Sequence, residues 1–130
     1  MRVAAWFVAG LLACHAARAD DDPGKGLYIK TCSACHQADG KGIPGAFPAL
    51  AGNALVQGDP KAFIAVPLTG RGGMPNFSTR FDDESLARIL TYVRNAWGNK
   101  GSAIVAPDVA ALRAELHAGQ YDATPEANQH

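Results

Sequence analysis

Cys32-Ser33-Ala34-Cys35-His36 sets two thiols three residues apart and puts a histidine directly after the second. This is the attachment signature of a c-type haem. The spacing has a chemical reason. Two thiols on one helical turn can each form a thioether to a haem vinyl group, and the adjacent imidazole then faces the iron from the same side. Two other chemistries use such a pair. A structural zinc site needs four tetrahedral protein ligands, and beyond Cys32, Cys35 and His36 there is no second cysteine pair to complete one. A redox-active thiol pair belongs in a βαβ setting, which the flanking residues do not suggest. The pattern therefore points to one covalent haem c and its iron.

The compartment follows from the N-terminus. Met1-Arg2 gives a positive start, Ala4 to Ala13 is an unbroken apolar run, and Ala17-Arg18-Ala19 offers small residues around a cleavage point. Residues 1–19 read as a secretory signal cleaved after Ala19. The run falls short of the roughly 20 residues of a spanning helix, so the mature chain is expected to lack a spanning membrane segment. A rival is lipidation at Cys14, for which Leu11-Leu12-Ala13 is a poor fit. Cleavage removes Cys14 and leaves one thiol pair, which excludes a disulfide framework other than Cys32 with Cys35. Export to the periplasm agrees with haem attachment outside the cytoplasm.

Charge narrows the partners. The whole chain carries 12 basic and 12 acidic residues; losing Arg2 and Arg18 leaves a net of about −2. No basic patch is available to neutralise phosphates, so nucleic acid is excluded as a partner.

The rest of the chain reads as helices joined by glycine-rich loops. Asp20-Asp21-Asp22-Pro23 is a helix start, and its helix delivers Cys32 and Cys35 near its end. Gln37 to Gly58, punctuated by Gly and Pro, reads as loop. Asp59-Pro60 opens a second helix with Phe63, Ile64 and Val66 inward, ended by Pro67. Leu68 to Phe77 is a second loop, with Met74 between Gly-Gly and Pro. Met74 is the mature chain's one methionine. A lone methionine usually fills a core gap, but no regular element buries this one, and with a haem present its thioether is best read as the sixth iron ligand. His117 is the competitor. Arg71 suits a haem propionate or plain solvation about equally. Asp82-Asp83-Glu84 starts the clearest helix, with Leu86, Ile89, Leu90, Val93 and Trp97 as its stripe and Gly98 as its end. Pro107 to His117 forms a last helix with Val109, Leu112 and Leu116 inward. Residues 119–130 are polar and expected to be disordered.

From Pro23 to Gly98 the chain resembles the class I cytochromes c. Gly24, Tyr28 and Cys32, four apart, resemble that family's first helix. Pro48-Ala49-Leu50 lies twelve residues past His36, where the family carries a similar Pro-x-Leu, and Gly72-Gly73-Met74-Pro75-Asn76-Phe77 resembles its methionine loop. The resemblance implies a small all-α cytochrome c fold over residues 20–118, with three main helices and long loops around one haem. It implies that the Pro48 carbonyl takes the Nδ1 proton of His36, that Leu50 packs on the haem face, and that Ile89 and Tyr92 meet Gly24 and Tyr28 where two helices cross. The implied function is one-electron transfer rather than catalysis, between a redox donor and an acceptor. The Met74 loop resembles those of cytochromes serving periplasmic dehydrogenases, with an oxidase as a possible acceptor. Ile43, Pro44, Ala46, Phe47, Pro75 and Phe77 would surround the haem edge, with Lys30, Lys41 and Arg71 as nearby cations. Two alternatives stand beside this reading: a haem peroxidase or gas sensor with a labile Met74, and a haem-free thiol or metal-binding module.

Overall fold

A computed structural model describes residues 22–121. The signal expected at 1–19, with Cys14, and residues 122–130 of the tail expected to be disordered lie outside the described residues. The described chain is all-α: α1 is Pro23–Thr31, α2 Ser33–His36, α3 Ala54–Gln57, α4 Pro60–Thr69, α5 Asp83–Asn95 and α6 Ala106–Glu115. The four longer helices, α1, α4, α5 and α6, are the three main helices expected and the last helix expected over residues 107–117. In place of strands, the described residues show two isolated antiparallel bridges, Ile43 with Phe47 and Arg71 with Met74.

The helix starts follow from short polar caps. Asp22 accepts from the amide of Gly24, Asp59 from those of Lys61 and Ala62, and Asp82 from that of Ser85. Proline at the first position of α1 and α4 fits the missing N–H there. Helix α5 buries Leu86, Ala87, Ile89, Leu90 and Val93 on one face, against α1 on one side and α6 on the other. Each large side chain withdrawn from water in this way stabilises the fold by about 1.5–3 kcal/mol. Helix α4 adds Phe63, Ile64 and Leu68, and α6 adds Val109 and Leu112.

Several local expectations are corrected. The loop from Gln37 to Gly58 contains α3, capped by Asn53, whose side chain accepts from the amides of Leu55 and Val56. Helix α4 runs through Pro67 to Thr69. A proline costs a helix the bond to the carbonyl four residues back. Here that loss falls in the last turn, which closes when Gly70 N donates to Val66 O at 2.8 Å. Pro67 itself is buried, whereas Val66 is only half-buried. Trp97 does not continue the α5 stripe. The helix stops at Asn95, and Trp97 takes a left-handed φ of 53° that folds its ring back onto α1. Leu116 is 37% exposed, and the buried long side chain near the end of α6 is Arg113.

A second buried cation, Arg94, ties the layers together. Its guanidinium donates to the carbonyls of Val56, Gly58 and Ser102 and to the Ser102 hydroxyl. A buried charge is tolerable when hydrogen bonds replace its water. Asn99 works beside it, donating to the carbonyls of Leu50 and Val93 and accepting from Gly52 N at 2.8 Å. The loop after His36 is thereby fixed to the end of α5.

Candidate functional site

The site is built where α1 meets α5. A Cβ on Gly24 would lie 2.3 Å from the Arg88 carbonyl oxygen, so only glycine permits this crossing distance. Tyr92 is at the crossing as expected, but the backbone facing Gly24 is that of Arg88 rather than Ile89. Tyr28, fully buried, packs its ring on Tyr92 at 5.5 Å and on Trp97 at 5.2 Å between centroids. Two hydrogen bonds then tie this aromatic group to the chain after the CxxCH segment. The Tyr28 hydroxyl donates to Gln37 O at 2.7 Å and Trp97 Nε1 to Ala38 O at 3.0 Å. Burial, together with the neighbouring Cys32, Tyr92 and Asp39, pushes the Tyr28 phenol well above its ordinary value.

Cys32 caps α1 and keeps helical dihedrals, so α2 continues nearly the same spiral. Both thiols are free and half-buried. Burial pushes the Cys32 thiol up to about 11, with Cys35 adding to the rise and the Arg80 guanidinium opposing it. A redox-active cysteine needs the opposite shift, toward thiolate. Among the described residues, no group of three or more His, Cys, Asp or Glu side chains is placed to hold a metal ion. The raised Cys32 thiol counts against the thiol reading.

His36 is buried, and its Nδ1 lies 2.9 Å from the Pro48 carbonyl oxygen. A carbonyl can only accept, so Nδ1 carries the proton and Nε2 keeps its lone pair. Nε2 has no hydrogen-bond partner among the described residues. The loop that delivers Pro48 is pinned by bonds from Gly42 N to His36 O and from Leu50 N to Gly40 O. Gly42 is obligatory there: its φ is 61°, and a Cβ would lie 2.4 Å from Phe47 O.

Met74 is half-buried at the foot of a tight turn. Arg71 N donates to Met74 O at 3.2 Å, and Met74 N donates back at 2.9 Å. Arg71 is exposed, and its guanidinium has no partner among the described residues. His117 is exposed in the turn after α6, which disfavours it as a ligand. Leu50 is half-buried against the core. Sequence reading missed Arg80, the cation whose field reaches Cys32, because nothing local to residue 80 marks it. The donor set fits a covalently attached haem: two thiols and an imidazole on one turn, with the imidazole tautomer set by the backbone.

The chain matches a protein family described as cytochrome c oxidase, cbb3-type, subunit III, over residues 19–93. It is 33% identical to the gluconate 2-dehydrogenase cytochrome c subunit of Pantoea cypripedii, over 79% of this chain and 27% of that protein. It is also 33% identical to an alcohol dehydrogenase (quinone) cytochrome c subunit of Gluconacetobacter polyoxogenes, over 70% of this chain and 22% of that one. Against cytochrome c-552 of Thermus thermophilus the identity is 35%, covering 71% of this chain and 85% of the relative. The chain thus spans only about a quarter of the length of the dehydrogenase subunits it matches. These relatives are named as cytochromes or cytochrome subunits, which agrees with electron transfer rather than catalysis, and the family's cofactor is haem c with its iron. By its matched residues and its helical fold, the chain belongs to this family of c-type cytochromes.

Proposed function

We propose that this protein is a periplasmic one-electron carrier with a single haem c, exported by residues 1–19 and folded over residues 20–118. Cys32 and Cys35 hold the group by thioethers, and His36 and Met74 ligate its iron. When bound, the haem supplies a ferrous–ferric couple whose potential is raised by a thioether ligand. The observation that carries this reading is the bond between His36 Nδ1 and Pro48 O, at 2.9 Å. It holds the imidazole in the tautomer whose Nε2 is free to bind a metal, and the Tyr28 and Trp97 bonds to residues 37 and 38 keep the ring from turning away. Arg71, exposed and bonded through its backbone to Met74, would meet a propionate. The donor is a dehydrogenase and the acceptor a downstream redox protein such as an oxidase, by analogy with the names of the relatives. None of the helices among the described residues is long and apolar enough to cross a membrane.

Met74 is tested by the near-infrared sulfur-to-iron charge-transfer band of the ferric protein. Wild type should show the band, and Met74→Ala should abolish it and lower the midpoint potential. A band that survives the substitution, or an unchanged potential, contradicts ligation by Met74.

A further inference from the structure

We propose that Arg113, on a helix beyond the matched residues 19–93, is a positioning residue that moors the methionine segment; this rests on Met74 being the iron ligand. Arg113 is 2% exposed. Its Nε donates to Asp83 Oδ1 at 2.8 Å, its Nη2 to Phe81 O at 3.0 Å, and its Nη1 to the carbonyls of Ser78 and Gly119. Three of these four partners lie between residues 78 and 83, directly downstream of Met74. Two of the three are backbone carbonyls, so the guanidinium fixes the path of the chain and not merely a side chain.

Within the methionine segment the fixed points are the reciprocal Arg71–Met74 backbone bonds and its two ends. From Gly70 to Asn76 it is mostly exposed, and Gly72 and Gly73 have no neighbour where a Cβ would stand. Its upstream end is held by Gly70 N donating to Val66 O at 2.8 Å, its downstream end is tied back to α4 by Phe77 N donating to Pro67 O at 2.8 Å, and Asn76 caps Ser78 N at 2.7 Å. Phe77 rests on Phe81, with centroids 6.3 Å apart. The loop is therefore strung between α4 and the Arg113 cluster, and glycines in it supply no stiffness of their own. A planar fork of five donors can bridge several acceptors at once, which a lysine's single ammonium cannot reproduce. Arg113 consequently sets how often the Met74 thioether swings off its bonding position.

The test uses the full haem-loaded protein and the variants Arg113→Gln and Arg113→Lys. Two quantities are measured: the rate at which added imidazole displaces the near-infrared band of the ferric form, and amide exchange resolved over residues 70–81 and over α1. Arg113→Gln should raise the imidazole rate and the exchange over 70–81 by about tenfold, as expected for losing charge-assisted bonds, and leave α1 unchanged. Arg113→Lys, which keeps the charge opposite Asp83, should recover only part of the loss. An unchanged imidazole rate, or exchange that rises equally in α1, overturns the proposal and leaves Arg113 as general glue. If Arg113→Gln does not fold, Arg113→Lys is judged by the same two criteria. If wild type shows no band, ligation by Met74 falls, and the exchange contrast alone decides the mooring.

Discussion

Tyr28 shows how much rests on single side chains around the CxxCH turn. Its hydroxyl bond to Gln37 O is part-buried, and deleting such a bond costs about 0.5–1.5 kcal/mol. Tyr28→Phe should lower stability by that amount without changing the fold. The pH dependence has a definite sign. The folded phenol holds its proton more tightly than the ordinary value of 10.0, so its contribution is complete below pH 10 and is lost as pH rises beyond that. Stability measured by denaturant unfolding should fall above pH 10, and Tyr28→Phe should reduce that slope. A residual slope is expected from Tyr92, which shifts the same way. The cysteine pair and its histidine were legible from sequence because their chemistry depends on spacing within one turn. Arg94, Arg113 and Arg80 were not, because most of their partners (carbonyls, the Asp83 carboxylate and the Cys32 thiol) lie 30 or more residues away and meet them only after folding. The twelve-residue step from His36 to Pro48 has no local signal either, and only the family resemblance supplied it.

At the scale of elements, periodicity identified α5 and its buried stripe, and polar caps with proline identified the starts of α1 and α4. It failed where an element is too short to repeat. Helix α3 is four residues long, less than the stretch over which a period can be seen. Its one sequence signal is Asn53, and Asn53→Ala should cost about 1 kcal/mol by removing the cap, lowering Tm by about 4–8 °C for a domain of this size. An unchanged Tm would mean that burial of Val56 alone holds the turn. Helix ends were the other weak point. Pro67 reads as a stop but sits inside a last turn that can spare one bond, and Trp97 reads as stripe but leaves the helix to cover Tyr28. At Trp97 a tertiary contact outweighed the local preference, whereas at Pro67 the turn had a bond to spare.

On the scale of the whole molecule, charge and apolar exposure together describe how partners meet it. Ile43 and Phe47 are 42% and 40% exposed on the loop that carries Pro48. Lys30, Lys41 and Arg71 are exposed too, but the chain has no excess of basic over acidic residues, 12 of each. An encounter steered mainly by lysines is therefore not expected. Long-range steering is screened over roughly 8 Å at physiological salt, so electron transfer with the native donor should respond only shallowly to ionic strength. Phe47→Ser should slow it more than raising the salt does. A steep salt dependence would shift the docking role to the three cations.

The central claim is that Cys32 and Cys35 carry one haem covalently in an exported chain. Its most direct test is the intact mass of the protein purified from the periplasm after acid–acetone extraction. The expected result is a polypeptide beginning at Asp20 with the added mass of one haem, which Cys32→Ser together with Cys35→Ser eliminates. A polypeptide whose pigment is lost to the acetone, or one that never carries haem, would contradict it.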